Sequence, residues 1–164
     1  MKMKLTAAAL ATFAMTAAPV MAEGDAAKGE RGFRVCAACH VIDDPDGNRL
    51  AGRGAKTGPN LYNIIGRTAG TYENFRYRDA LPAAGEAGLV WDTENLAEYL
   101  PDPQGFLRTV TGDDSLRSAM AAQRVRGMED LMAFLTLHSP DAMMMDGEAE
   151  EEVEEEEEEE AASN

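Results

Sequence analysis

Cys36-Ala37-Ala38-Cys39-His40 constrains this chain more than any other stretch. Two cysteines in C-x-x-C spacing, with a histidine directly after them, form the attachment signal of a c-type haem. The chemistry requires that spacing. Two thioether bonds tether the vinyl groups of one macrocycle, and the next residue places an imidazole under the iron as proximal ligand. C-x-x-C by itself also serves as a thiol–disulfide redox pair or as half of a zinc site. Zinc asks for two further ligands, yet the chain has only these two cysteines and, besides His40, only His138. A thioredoxin-like redox motif asks for a surrounding βαβ pattern, and none is visible. The expectation is one haem c per chain, covalent through Cys36 and Cys39, with His40 on the iron.

Both ends of the chain lie outside that unit. Lys2 and Lys4 precede an apolar run from Leu5 to Ala18, and Val20-Met21-Ala22 resembles a small-residue cleavage site. Residues 1–22 therefore read as a secretory signal peptide, too short to serve as a membrane span. The mature chain is expected to begin near Glu23 in the periplasm, and no other stretch is long and apolar enough to cross a bilayer. At the far end, Met143 to Met145 lead into an almost pure glutamate block from Glu148 to Glu160. Such a block buries no apolar surface and repels itself, so residues 141–164 are expected to form a disordered acidic tail. Residues 23–141 carry 13 basic and 18 acidic side chains, whereas the rest of the tail carries 12 acidic and no basic ones. Most of the net charge of −15 thus belongs to the tail. A single domain over residues 23–140 remains, well within single-domain size.

Within that domain the local signals are helical. Asp25 is a plausible N-cap for a helix carrying Gly29, Phe33 and the two cysteines. Residues 41–56 read as a loop, with strong turn chemistry in Asp43-Asp44-Pro45-Asp46-Gly47-Asn48. Asp92 or Thr93 can cap a helix through Leu96, Tyr99 and Leu100 that Pro101 ends, and Asp102-Pro103 starts another short one. Residues 111–118 are again loop. Met128, Leu131, Met132 and Leu135 fall at i, i+3, i+4 and i+7, which predicts a last helix stopped by Ser139-Pro140. No alternating strand pattern is present, so the expected class is all-α.

Cys36-Ala37-Ala38-Cys39-His40, Thr57-Gly58-Pro59-Asn60-Leu61, Gly66-Arg67 and Trp91 together resemble a class I cytochrome c. The long loops after His40 and before the methionine discussed below resemble the bacterial cytochrome c2 and cytochrome c550 type. The resemblance covers almost all of residues 23–139. It implies four to five helices packed around a covalent haem, with long loops. It also assigns roles. Gly29 and Phe33 match the N-terminal helix face that crosses the C-terminal helix, where Leu131 and Phe134 match its partners. Pro59 matches the residue whose carbonyl accepts from the proximal imidazole, which would set the His40 tautomer. Arg67, Tyr77 and Trp91 match groups that hold a haem propionate, and Tyr99 matches a tyrosine whose hydroxyl approaches the axial sulfur.

The sixth iron ligand has to be chosen among ten methionines. A helical methionine is more often core filler than ligand, and Met128 and Met132 lie on the apolar stripe of the last helix. Met120 sits in an irregular stretch, and Ser115 to Met120 reads like the family's ligand loop. Met120 is therefore the expected axial ligand, with Ser118 matching a propionate donor. His138 is the fallback, although a lone histidine at a helix C-terminus commonly serves the helix dipole. Ala119 and Ala122 stand where the family usually has a lysine and an aromatic ring. The mature chain has only Lys28 and Lys56 for the lysine ring usual at the haem edge, and Arg53, Arg108, Arg117, Arg124 and Arg126 would form that ring instead.

The resemblance implies a periplasmic one-electron carrier, not an enzyme, because His/Met-ligated iron has no open position for substrate. It would act as a monomer that docks transiently on membrane-bound electron-transfer complexes through the haem edge, with no nucleic-acid partner. A cytochrome bc complex as donor and a reaction centre or terminal oxidase as acceptor are what the family implies. The rival is a haem enzyme or small-ligand sensor with an open or labile sixth position, which Ala119 and Ala122 keep open.

Overall fold

Asp25 caps the first helix through its side chain, which accepts from the Lys28 amide at 3.1 Å. The computed structural model describes residues 24–142; the expected signal peptide and the glutamate block lie outside the described residues. Helix α1 (Ala26–Gly32) runs directly into a 3₁₀ segment (Phe33–Ala38) that ends at the second cysteine. A two-stranded antiparallel hairpin follows, β1 (Val41–Asp43) paired with β2 (Arg49–Gly52). Four helices complete the order: α2 (Ala80–Glu86), α3 (Thr93–Tyr99), α4 (Pro103–Thr111) and α5 (Met128–Leu137).

The caps of three helices follow the sequence signals. Asp92 and Asn95 form a reciprocal capping box at the start of α3. Asp102 accepts from the Gly105 amide at 3.0 Å, with Pro103 opening α4. The apolar stripe of α5 is buried at Leu131, Met132, Phe134 and Leu135.

Two elements depart from the expectations. Residues 41–56 are not wholly loop, because Asp43 pairs with Arg49 across the hairpin and the bulge between Ile42 and Asp43 absorbs the irregular register. The apolar alternation is too short there to announce a strand. Helix α2 carries no strong periodicity either; it is small and alanine-rich, and it is held by packing of Ala80 and Ala84 into the core.

Helices α1 and α5 cross at Gly29, where an added Cβ would lie 2.6 Å from the Phe134 Cβ and closer still to the Asp130 carbonyl. Only glycine permits that approach. The crossing is locked by the Asp25 amide donating to Asp130 Oδ1 at 2.7 Å and by the Phe33 and Phe134 rings, 5.5 Å apart. A second aromatic cluster joins α3 and α4, with Trp91, Tyr99 and Phe106 in mutual contact at 5.0–6.1 Å between ring centroids. These two packed regions hold a cavity between them.

The packed body continues past Pro140. Asp141 Oδ2 accepts from Asn63 Nδ2 at 2.7 Å, and Ala142 is buried. The first two residues of the expected tail thus belong to the folded unit. No helix among the described residues is long and apolar enough to cross a membrane.

Candidate functional site

The 3₁₀ segment turns tightly after Cys36, so that the amides of Cys39 and His40 both donate to the Cys36 carbonyl, at 3.0 and 2.8 Å. This turn presents Cys36, Cys39 and His40 to one cavity. The next wall comes from residues 57–61. The Gly58 amide donates to the Cys39 carbonyl at 2.8 Å, and Asn60 ties the stretch to β1 by exchanging hydrogen bonds with the Asp43 backbone. Pro59 is thereby set against the imidazole, whose Nδ1 donates to its carbonyl oxygen at 2.9 Å.

That single hydrogen bond decides the histidine chemistry. Nδ1 carries the proton, so Nε2 keeps its lone pair, and no described residue claims it. Burial lowers the His40 pKa, while the Pro59 carbonyl opposes the shift. The ring is therefore held neutral, the form that binds metal. Gly58 lies beneath the ring: a Cβ there would come within 2.6 Å of Nδ1. The imidazole is seated in a groove that only glycine leaves open.

The cysteines are free thiols, Cys36 partly buried and Cys39 exposed. Burial pushes the Cys36 thiol up to about 11. A thiol–disulfide redox motif needs the opposite shift, toward thiolate near neutral pH. Among the described residues no three His, Cys, Asp or Glu side chains gather as a metal-binding group, and His138 stands edge-on to Phe134 instead. The two rival readings of C-x-x-C thus lack their supporting environment.

The cavity measures about 330 Å³ and is mostly apolar, within the range of cofactor sites. Leu96, Leu100, Leu131 and Leu135 supply its floor together with Trp91. Met120 reaches the same cavity from the loop between α4 and α5. The Tyr99 hydroxyl, fully buried, makes no hydrogen bond among the described residues. Burial raises its pKa, with the nearby Ser118 side chain opposing. An orphaned phenol in an apolar cavity costs free energy unless a bound group or water approaches it. A flat apolar macrocycle, with a metal at its centre for Nε2 to bind, fits this set of residues.

Arg67 and Tyr77 also line the cavity. Arg67, however, donates to the carbonyl oxygens of Asn60, Tyr62 and Asn63, and its guanidinium lies over the Tyr72 ring, 5.3 Å from the centroid. Three of its five N–H groups thus pin the loop that carries Pro59. Ser118 does not line the cavity. Its hydroxyl donates to the Met120 carbonyl at 2.9 Å and accepts from the Met120 amide at 3.1 Å. In this geometry it shapes the backbone at Met120.

Sequence reasoning missed Gln104. From α4 its side chain accepts from the Ser118 amide and donates to the Leu116 carbonyl, both at 3.0 Å. The Gln123 amide donates to the Leu100 carbonyl at 2.7 Å on the other side of Met120. Met120 is held between these two ties. No local pattern marks either glutamine, because each acts on a partner far along the chain.

No family model matches the chain. Cytochrome c2 of Rhodobacter capsulatus is 47% identical over 135 residues, which cover 82% of this chain and 96% of that protein. Cytochrome c-550 of Paracoccus denitrificans is 39% identical over 144 residues, covering 87% and 92%. Among solved structures, cytochrome c2 from Rhodobacter sphaeroides superposes with a TM-score of 0.68 at 41% identity, covering 71% of this chain and 98% of that one. With nearly the full length of such relatives matched at these identities, this chain belongs to the class I cytochromes c of the cytochrome c2 and c-550 family.

Proposed function

We propose that this chain is a periplasmic one-electron carrier whose c-type haem is attached through Cys36 and Cys39 and ligated by His40 and Met120. When bound, the haem supplies a one-electron iron couple whose potential the protein sets. The observation that carries this reading is one apolar cavity reached by both thiols, by a neutral His40 with Nε2 unclaimed, and by Met120. The Pro59 carbonyl orients the imidazole and strengthens it as a donor. A thioether in the sixth position raises the potential and suits low-spin iron. Trp91, Tyr99 and the leucines exclude water, and Tyr99 offers its hydroxyl to the bound group. Arg67 and Tyr77 supply the cation and phenol suited to a buried propionate.

Residues 1–22 serve as the export signal in this reading, consistent with haem attachment outside the cytoplasm. Membrane-bound complexes, a cytochrome bc complex as donor and a reaction centre or terminal oxidase as acceptor, are the partners it implies. Acid–acetone extraction tests the attachment. Haem should remain with the parent protein and leave a Cys36→Ala/Cys39→Ala variant completely. Haem that stays on the double variant overturns the assignment. Visible spectra test the ligation: low-spin signatures with a sulfur-to-iron charge-transfer band are expected, and high-spin ferric iron would favour a ligand-binding role.

A further inference from the structure

Arg76, Arg78 and Arg117 converge on a polar cleft separate from the cofactor cavity. All three are exposed, and Asp79 is the one carboxylate on the cleft wall. Three other surface cations have ion-pair partners, Lys28 with Asp25, Arg49 with Asp43, and Arg108 with Asp114, whereas Arg31, Arg34, Arg53, Lys56, Arg124 and Arg126 have none among the described residues and do not converge on one cleft. Among the described residues, Arg76 and Arg78 make no such pair, and Arg117 donates only to the backbone carbonyls of Asp114 and Leu116. The cleft is a local excess of positive charge on a chain whose net charge is −15.

We propose that this cleft is the docking site of the chain's own polyglutamate tail. Guanidinium groups are planar forks matched to carboxylates, so three together suit a polyanion better than a single acidic residue. Beyond Asp141 the chain has 12 acidic residues and no basic one, so it carries no internal partner for those charges. Ala142 lies beside Gly66, whose neighbour Arg67 shares the cofactor cavity with Tyr77, and Tyr77 also lines the arginine cleft. Glu148 stands six residues past Ala142, a reach of about 20 Å when extended. Glu160 can reach roughly 60 Å by the same measure. Tethering raises the effective concentration of the tail at the cleft to about the millimolar range, which favours it over a second copy's tail. A docked tail lies beside Tyr77 at the cavity wall and shields that face from other anionic surfaces at low salt. The docking itself requires nothing of the haem reading.

The test uses the mature full-length protein, haem-loaded and reduced, with ¹⁵N signals of the arginine side chains as readout. Its comparison is a full-length variant carrying Glu→Gln at every glutamate from Glu148 to Glu160, which leaves the folded body untouched. At low ionic strength the Nε–H signals of Arg76, Arg78 and Arg117 should differ between the two proteins. The difference should vanish near 1 M salt, where the Debye length is about 3 Å, and should not change over a tenfold range of protein concentration. Identical arginine signals in both proteins would overturn the proposal. So would differences confined to Arg31, Arg34, Arg124 or Arg126, or differences that grow with protein concentration, which point to a second copy's tail.

Discussion

Gly29 lies against Phe134 so closely that a Cβ on the glycine would sit 2.6 Å from that of the phenylalanine. The α1–α5 crossing therefore tolerates no side chain at position 29. Three residues on, Gly32 has helical dihedrals, and a Cβ added there would meet no atom within 4 Å. Gly29→Ala should destabilise by about 3 kcal/mol, the cost of forcing apart a packed core. Gly32→Ala should instead stabilise by about 0.4–1 kcal/mol through the unfolded chain. Urea midpoints of the two haem-loaded variants check this, and equal effects would mean that the crossing is not close-packed.

Met120 and Met132 separate a ligand from a core residue. Met132 is buried in α5, whereas Met120 reaches the cavity from its loop. Met120→Ala should turn ferric iron high-spin or water-bound and lower the potential, with modest loss of stability. Met132→Ala should cost about 2–5 kcal/mol and leave the spectrum unchanged. Loss of the charge-transfer band in the Met132 variant alone would reverse the ligand assignment.

Ala119 and Ala122 are both exposed beside Met120. A ring at position 122 should cover the approach to the sixth iron position. Ala122→Phe is expected to slow cyanide binding to the ferric protein, measured by stopped flow. Unchanged rates would show that the surrounding loop already closes the edge.

His138 gives the haem-loaded protein a mild acid sensitivity. Burial lowers its pKa, with Glu30 opposing the shift, and its ring stands 4.7 Å from that of Phe134. The unfolded chain therefore takes up this proton at a higher pH than the folded one. Stability from this group is fully present above the unfolded value of about 6.5 and falls as pH drops through the lower folded value. Comparing denaturation midpoints at pH 7.5 and 5, His138→Gln should show a smaller acid loss than the parent. An equal loss would assign the sensitivity to carboxylates.

Local chemistry was legible without coordinates. The C-x-x-C-H spacing is set by one macrocycle's geometry, so five consecutive residues carry it. Asp25, Asp92 and Asp102-Pro103 mark helix starts because a cap acts within three residues of itself. The α5 stripe is likewise a repeat written along ten residues. What stayed hidden depends on partners distant in the chain. Asp43 and Arg49 make a hairpin from a stretch that reads as loop, and α2 exists because its alanines find the core. Gln104 positions the Met120 loop from 14 residues away. Asp141 joins the body by reaching Asn63 across 78 positions. Propensity and spacing report energies that a segment feels alone, whereas these contacts form only when closure of the chain has already brought both partners together.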